Sequence, residues 1–300
     1  MRNRIIDISQ SPARLKIQRR QLVITTGEQE CKVPLDDLAV LIVAHPAVTY
    51  TQAVISEIAS AGGLFITCDE KRMPNGMLLP LDAHSTQTQR FHQQIALKAP
   101  QAKQLWKQLI KAKIGMQASV LEQETGSDGG LLAMIPKVRS GDPANIEAQA
   151  ARRYWSLLFG SDFRRDRFAS DQNSLLNFGY AIVRSAIARS LCAAGLHPSI
   201  GVHHHNKYNA YCLADDMMEP FRPLVDQAVL QLTRDCQEIP ELSSHARAEL
   251  LELLMIDICL EGQSWEFLEA VQKSAGSLGQ VISGAATELL LPESLAHAPL

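Results

Sequence analysis

Clustered cysteines are missing from this 300-residue chain, and with them the architectures they would build. Cys31, Cys68, Cys192, Cys212, Cys236 and Cys259 stand singly and far apart, in neither a zinc-ribbon nor a disulfide-scaffold spacing, so the chain reads as a reduced, cytosolic one. Long apolar runs are missing too. The longest, Leu38 to Ala44, is too short to cross a bilayer, and MRNRIIDIS lacks the apolar stretch of a secretory signal, so the expectation is a cytoplasmic protein with no membrane partner. Net charge is nearly absent, at -3, which means that any nucleic-acid binding must come from local patches. What remains is an ordinary globular composition, 46% hydrophobic and 20% charged, at a length that suggests about two domains.

One local absence is more telling. Between Asp82 and Glu122 there is no acidic residue, whereas Arg90, Lys98, Lys103, Lys107, Lys111 and Lys113 all occur there. Lys103, Lys107 and Lys111 recur every four residues and so form a stripe on one helical face, with Trp106, Leu109, Ile110 and Ile114 supplying the buried side. A lysine stripe can be a merely solvated face. Without acids on the same segment, the favoured reading is contact with phosphates.

The first 80 or so residues read as β-rich. Short runs at Arg4 to Ser9, Ala13 to Gln18, Gln21 to Thr26 and Cys31 to Pro34 are separated by polar breaks, and several alternate as half-buried antiparallel strands do. Leu38 to Ala44 reads as a central strand, followed by a helix from about Tyr50 to Ser60 and a strand at Leu64 to Cys68. From His84 onward the pattern is helical. Asp142 followed by Pro143 predicts a helix from Pro143 to Phe159, carrying Glu147. Arg152, Arg153, Arg164, Arg165 and Arg167 make a second basic cluster. A central helix is expected from Gln172 to Ala194, capped by Asp171 and stopped by Gly195, with further helices at about Phe221 to Asp235, Ser243 to Glu261 and Ser264 to Lys273. The fold class is therefore α+β: a small N-terminal β-rich domain over 1–83, with a sheet edge free to pair with another subunit, and a larger all-α helical domain over 84–300.

The densest chemistry lies in GVHHHNKYNAYCLADDMMEPFRP, Gly201 to Pro223. His203 to His205 read as extended chain, in which side chains alternate, so His204 faces away from His203 and His205. A short helix from about Leu213, cut off by Pro220, puts Asp216 and Glu219 three apart on one face. Asp215 and Glu219, four apart, would serve nearly as well. Imidazole and carboxylates without a nearby cysteine pair suit Mg2+ or Mn2+ better than zinc. The bland alternative is a polar turn of solvated histidines and helix-capping acids.

Three segments in order, NIEAQAARRYW (Asn145 to Trp155), NSLLNFGYAIVRSAIA (Asn173 to Ala188) and the histidine stretch, resemble the CRISPR-associated integrase family that acquires new spacers, in the short form found beside type II effector systems. By position, the resemblance implies that Glu147, His204 and Glu219 are catalytic and bind the divalent ion, with Asp216 as a further metal contact. His204 is the residue three after the glycine, where the family has a single histidine. Lys113 to Gln117 is similar to the family's KIxNQ segment, with Met116 where asparagine is usual. The implied reaction is attack by the 3′-hydroxyl of a captured duplex on a phosphodiester of the repeat. Lys103, Lys107, Lys111, Lys113, Arg164, Arg165, Arg167 and Arg222 are then the expected DNA contacts. The resemblance further implies double-stranded DNA as partner, a homodimer, a small second acquisition protein completing a heterohexamer, and the type II effector nuclease as an associate. Two rival readings keep less: a general metal-dependent nuclease using water as attacker, and a non-catalytic DNA-binding scaffold.

Overall fold

Leu38–Val43, LAVLIV, is apolar at every position because both of its faces are covered, as in a strand buried between layers. In the computed structural model, which describes residues 4–80, 82–169, 171–234 and 242–295, this strand is central. The N-terminal region holds two four-stranded sheets, built from β1 (Arg4–Ile8), β2 (Arg14–Gln18), β3 (Gln21–Thr26), β4 (Gln29–Pro34), β5 (Leu38–Val43), β6 (Thr49–Tyr50), β7 (Leu64–Cys68) and β8 (Pro74–Leu78), with helix α1 (Gln52–Ala61) between β6 and β7. One sheet has the order β1-β5-β7-β8, with β1, β5 and β7 parallel and β8 antiparallel at the edge. The other has the order β4-β3-β2-β6. Alternation over Val40 to Ile42 divides the interior: Leu41 joins Leu15, Leu22, Val54 and Ile58 in a small core, while Val40 and Ile42 face the opposite way into the main one, as a period of two requires; a register shift beside Leu38 places that residue on the Leu41 side.

A helical region follows: α2 (Gln87–Ile95), α3 (Ala99–Thr125), α4 (Ile146–Phe159), α5 (Gln172–Ala193), α6 (Cys212–Met218), α7 (Arg222–Thr233), α8 (Ser244–Glu252) and α9 (Phe267–Ser283). The β-rich start and helical remainder agree with the expected fold class. Helix α5 is buried on nearly every face, starts at its Asp171 cap, whose side chain accepts from Asn173 N, and forms the middle of the main core. No helix among the described residues is long and apolar enough to cross a membrane.

Three boundaries differ from expectation. Pro220 does not end the chain's helical course: a 3-10 turn at Glu219–Phe221 carries α6 straight into α7, because proline lacks an amide that a first turn would leave unpaired anyway. The helix expected to run to Glu261 stops at Glu252, and Asp257–Leu260 is a strand, β9, pairing with β10 (Gln263–Glu266) and β11 (Ser294–Leu295). Ser264 to Glu266 therefore belongs to that small sheet, and α9 starts at Phe267. The expected helix end at Asp235 lies outside the described residues.

The sheet and the helices are clamped by one buried ion pair. Arg247 of α8 is fully buried and forks onto Asp7 of β1 at 2.9 and 2.8 Å, donates to Arg72 O at 2.5 Å and sits 4.6 Å from the Phe178 ring centre. Removing one partner strands a buried charge, so Arg247→Met is expected to cost about 3–5 kcal/mol in urea unfolding. Pairing it with Asp7→Asn should restore most of that loss. An unchanged midpoint in the single variant would deny the clamp its role.

Candidate active site

Glu147 is fixed by the turn before its helix. Asp142 and Asn145 take left-handed φ of 45° and 51°, a conformation that Asp and Asn tolerate better than most residues. The Asp142 carboxylate then accepts from Ile146 N (3.0 Å) and Glu147 N (2.9 Å), while Asn145 Oδ1 accepts from Ala148 N. These bonds satisfy amides that a helix start leaves open. The helix thus begins at Ile146, three residues after the expected Pro143, and Asp142 caps it from outside.

Glu219 comes to the same spot from the 3-10 turn after α6. Its side chain is 7% exposed and is held by Arg222 Nε at 2.9 Å, an i,i+3 pair. Between the two glutamates stands Lys113 of α3, with Nζ 2.6 Å from Glu147 Oε1 and 2.5 Å from Glu219 Oε2. The two carboxylates therefore close on a single cationic point. Burial disfavours a charged Glu219, but Arg222 and Lys113 outweigh it and bring its pKa down to about 2. Burial likewise works against a charged Lys113, and Glu219 and Glu147 more than compensate, so its pKa is raised.

The histidine segment, expected as extended chain, lies in neither helix nor strand, and Asp216 organises it. Fully buried, Asp216 accepts from the backbone amides of Val202 (2.7 Å), His203 (3.0 Å) and His204 (3.2 Å), and lies 2.6 Å from His204 Nδ1. Both of its oxygens are thereby engaged. Asp216 is therefore an anchor for the loop. The bond to Nδ1 raises the His204 pKa and leaves Nε2 as the nitrogen free to bind a ligand, the arrangement found where a carboxylate orients a metal-binding imidazole. His203 turns elsewhere: its ring stacks on Trp106 at 3.9 Å and 3°, and burial lowers its pKa. Gly201 makes the turn feasible, since a Cβ there would sit 2.3 Å from His204 O and 2.9 Å from Asp216 Oδ2.

Among the described residues, no three His, Cys, Asp or Glu side chains converge as a metal cluster. Glu147 and Glu219 are joined through an ammonium, and His204 stands beside them, near enough for Glu219 to contribute to its raised pKa. The donor set nevertheless fits a hard divalent cation. Two carboxylates already share one positive charge, and an oriented imidazole lies at their side.

The expected DNA contacts separate into three groups. Lys103, Arg164 and Arg167 are exposed. Lys107 and Lys111 are half-buried along a groove of about 1740 Å3 whose walls also carry Glu122, Asp128, Glu261, Glu288 and Glu293. Acids from other parts of the chain thus share that groove with two lysines of the stripe. Lys113 is buried in the acid pair, Arg222 is tied to Glu219, and Arg165 forks onto Asn173 and Asn177 at 2.7 and 2.6 Å. These three are committed inside the protein.

Behind Glu219 lies Asp226, 2% exposed and hydrogen-bonded by the Tyr180 hydroxyl. Burial raises its pKa to about 7. An acid whose folded-state pKa is raised contributes its stability below the unfolded value near 4 and loses it as pH rises towards 7. Asp226→Asn should abolish that slope and gain up to a few kcal/mol over the wild type at pH 8, relative to pH 5, in urea titrations. Parallel pH profiles would contradict this.

Comparison with known proteins agrees in sequence and in shape. A family model described as CRISPR associated protein Cas1 matches residues 6–241. The chain is 37% identical over 290 residues to the CRISPR-associated endonuclease Cas1 of Neisseria meningitidis serogroup C (strain 8013), covering 95% of each. In fold it is similar to a casposase bound to integration product, with a TM-score of 0.77 at 18% identity over 95% of this chain and 92% of that one. It is also similar to part of a Cas6-RT-Cas1–Cas2 complex, with a TM-score of 0.71 at 16% identity over 97% of this chain and 36% of that one.

Proposed function

The chain belongs to the CRISPR-associated Cas1 family, and from that premise we propose that it is a CRISPR adaptation enzyme: a metal-dependent DNA integrase and endonuclease that inserts captured duplexes into a repeat array. The observation that carries this reading is the closure of Glu147 and Glu219 on one cation beside an imidazole fixed by Asp216.

In the reaction, the 3′-hydroxyl oxygen of the captured DNA forms a new bond to a repeat phosphorus as the bond to the repeat's own 3′-oxygen breaks. Phosphodiester is exchanged for phosphodiester, and no protein nucleophile is required. Glu147, Glu219 and His204 would hold Mg2+ or Mn2+, which when bound supplies charge neutralisation of the phosphoryl oxygens and a lowered hydroxyl pKa. Asp216 keeps His204 Nε2 pointed outward, and Arg222 keeps Glu219 ionised and in place. Lys103, Arg164 and Arg167, exposed, grip the backbones of both DNAs by charge.

The likeness to a casposase bound to integration product supports strand transfer. The name endonuclease carried by the Neisseria relative supports a second outcome at the same residues, with water as attacker. A Cas1–Cas2 complex among the fold neighbours supports a small second acquisition protein as partner. We extend this to a homodimer joined through the β-rich domain over 1–83, the helical domain over 84–300 carrying catalysis, and two dimers bridged into a heterohexamer. Association with the type II effector nuclease and a cytoplasmic setting follow from the same reading. The test is strand transfer of a 3′-hydroxyl duplex into a repeat-bearing plasmid with Mn2+, alongside cleavage of a branched substrate. Joined products lost on His204→Ala support integration; cleavage without joining would favour the nuclease, and joined products surviving His204→Ala would remove catalysis from this site.

A further inference from the structure

Lys113 is where a lysine is expensive. It is 8% exposed, lies on the face of α3 that also buries Leu109, Ile110 and Gln117, and its ammonium occupies the point on which Glu147 and Glu219 converge. Two carboxylates brought this close without a cation would repel each other, and a carboxyl buried as deeply as Glu219 would lose its charge. A divalent ion and this ammonium would be attracted to the same oxygens. One turn further along α3, Gln117 is 3% exposed, and its Oε1 has no hydrogen-bond partner among the described residues. Residues four apart on a helix lie on one face, and here Lys113 and Gln117 line a common cavity of about 170 Å3 with Asp226, Tyr180 and Glu219. An unpaired buried acceptor beside an open volume is a costly feature unless something comes to it.

We propose that Lys113 is a positioning residue that holds Glu147 and Glu219 together in the metal-free protein and swings onto Gln117 when a divalent ion takes its place. The proposal rests on the metal reading of the site. It goes beyond that reading by giving the two glutamates an internal counter-ion and giving the displaced ammonium a destination. Metal affinity is then set in part by how readily the lysine leaves. If the displaced arrangement is populated to roughly a tenth in the free protein, the ion's apparent Kd is weakened about tenfold.

The experiment uses the full-length protein without DNA, with Mn2+ as probe and the free-ion electron paramagnetic resonance signal as readout. Lys113→Met should tighten Mn2+ binding about tenfold, because no ammonium has to be expelled. Gln117→Leu should weaken it several-fold while Lys113 is present and change nothing in the Lys113→Met background, a coupling that a merely structural glutamine would not produce. Equal Mn2+ affinity in the wild type and both single variants overturns the proposal while leaving the metal site intact. Absence of Mn2+ binding from every form overturns the metal reading as well. Gln117→Leu replaces an amide by an apolar side chain of similar size, so it keeps the test open should Lys113→Met fail to fold.

Discussion

Glu219→Gln is expected to abolish strand transfer and to destabilise the protein at the same time. The substitution removes the carboxylate that answers buried Lys113 at 2.5 Å and half-buried Arg222 at 2.9 Å, and leaves Glu147 as the carboxylate paired with Lys113. Stranding a buried charge costs about 3–5 kcal/mol, which should appear in urea unfolding at pH 7. Loss of one of two carboxylates from the cation site should lower the transfer rate by more than about a hundredfold, the equivalent of several kcal/mol of lost electrostatic stabilisation. The pH dependence separates the two effects. A carboxyl with its pKa lowered to about 2 contributes stability that is present above the unfolded value near 4.3 and disappears as pH falls towards 2. The wild type should therefore lose stability over that acid window, and Glu219→Gln should lose less. Wild-type activity in the variant would remove Glu219 from the chemistry.

Asp216→Asn should be nearly as damaging by a different route. Four donors point at the Asp216 carboxylate: the amides of Val202, His203 and His204, and His204 Nδ1. An amide of the same shape turns one acceptor into a donor facing donors, in a side chain with no access to solvent. The loop should loosen and His204 should lose its preferred tautomer. Disturbing the carboxylate that orients a ligating imidazole typically costs about 10–100-fold in affinity or activity. Imidazole NMR provides the specific readout: the His204 pKa, raised in the wild type by its Asp216 bond, should fall in the variant. If it stays where it was, Asp216 does not control that ring.

Much of this could be seen in the sequence, and the residues that escaped did so for physical reasons. The strands β1 to β5 and β7 were legible because alternation and apolar runs report burial on one face or two. The small sheet of β9, β10 and β11 was not, because strands of two to four residues carry too little periodicity to compete with a helical pattern. Glu147 and Glu219 were placed by resemblance, and His204 was isolated by an alternation argument that the irregular loop does not support; Asp216 on one side and the Trp106 stack on the other do the sorting instead.

Lys113 sits where charge alone does not place it. By charge it groups with Lys103, Lys107 and Lys111, yet it breaks their four-residue period. Two positions past Lys111 it turns to the opposite side of the helix, into the row of Leu109, Ile110 and Gln117. A lysine on the apolar face is a request for a buried partner.

The central claim is that the Glu147 and Glu219 carboxylates close around a cation within reach of His204, with Lys113 in that position until a divalent ion arrives. The most direct test is anomalous diffraction from a crystal of the full-length protein soaked in Mn2+. The account predicts a single Mn2+ peak at coordination distance from Glu147, Glu219 and His204 Nε2, with Lys113 withdrawn towards Gln117. Lys113 still bridging the two glutamates at saturating Mn2+, with the metal bound elsewhere or not at all, would contradict it.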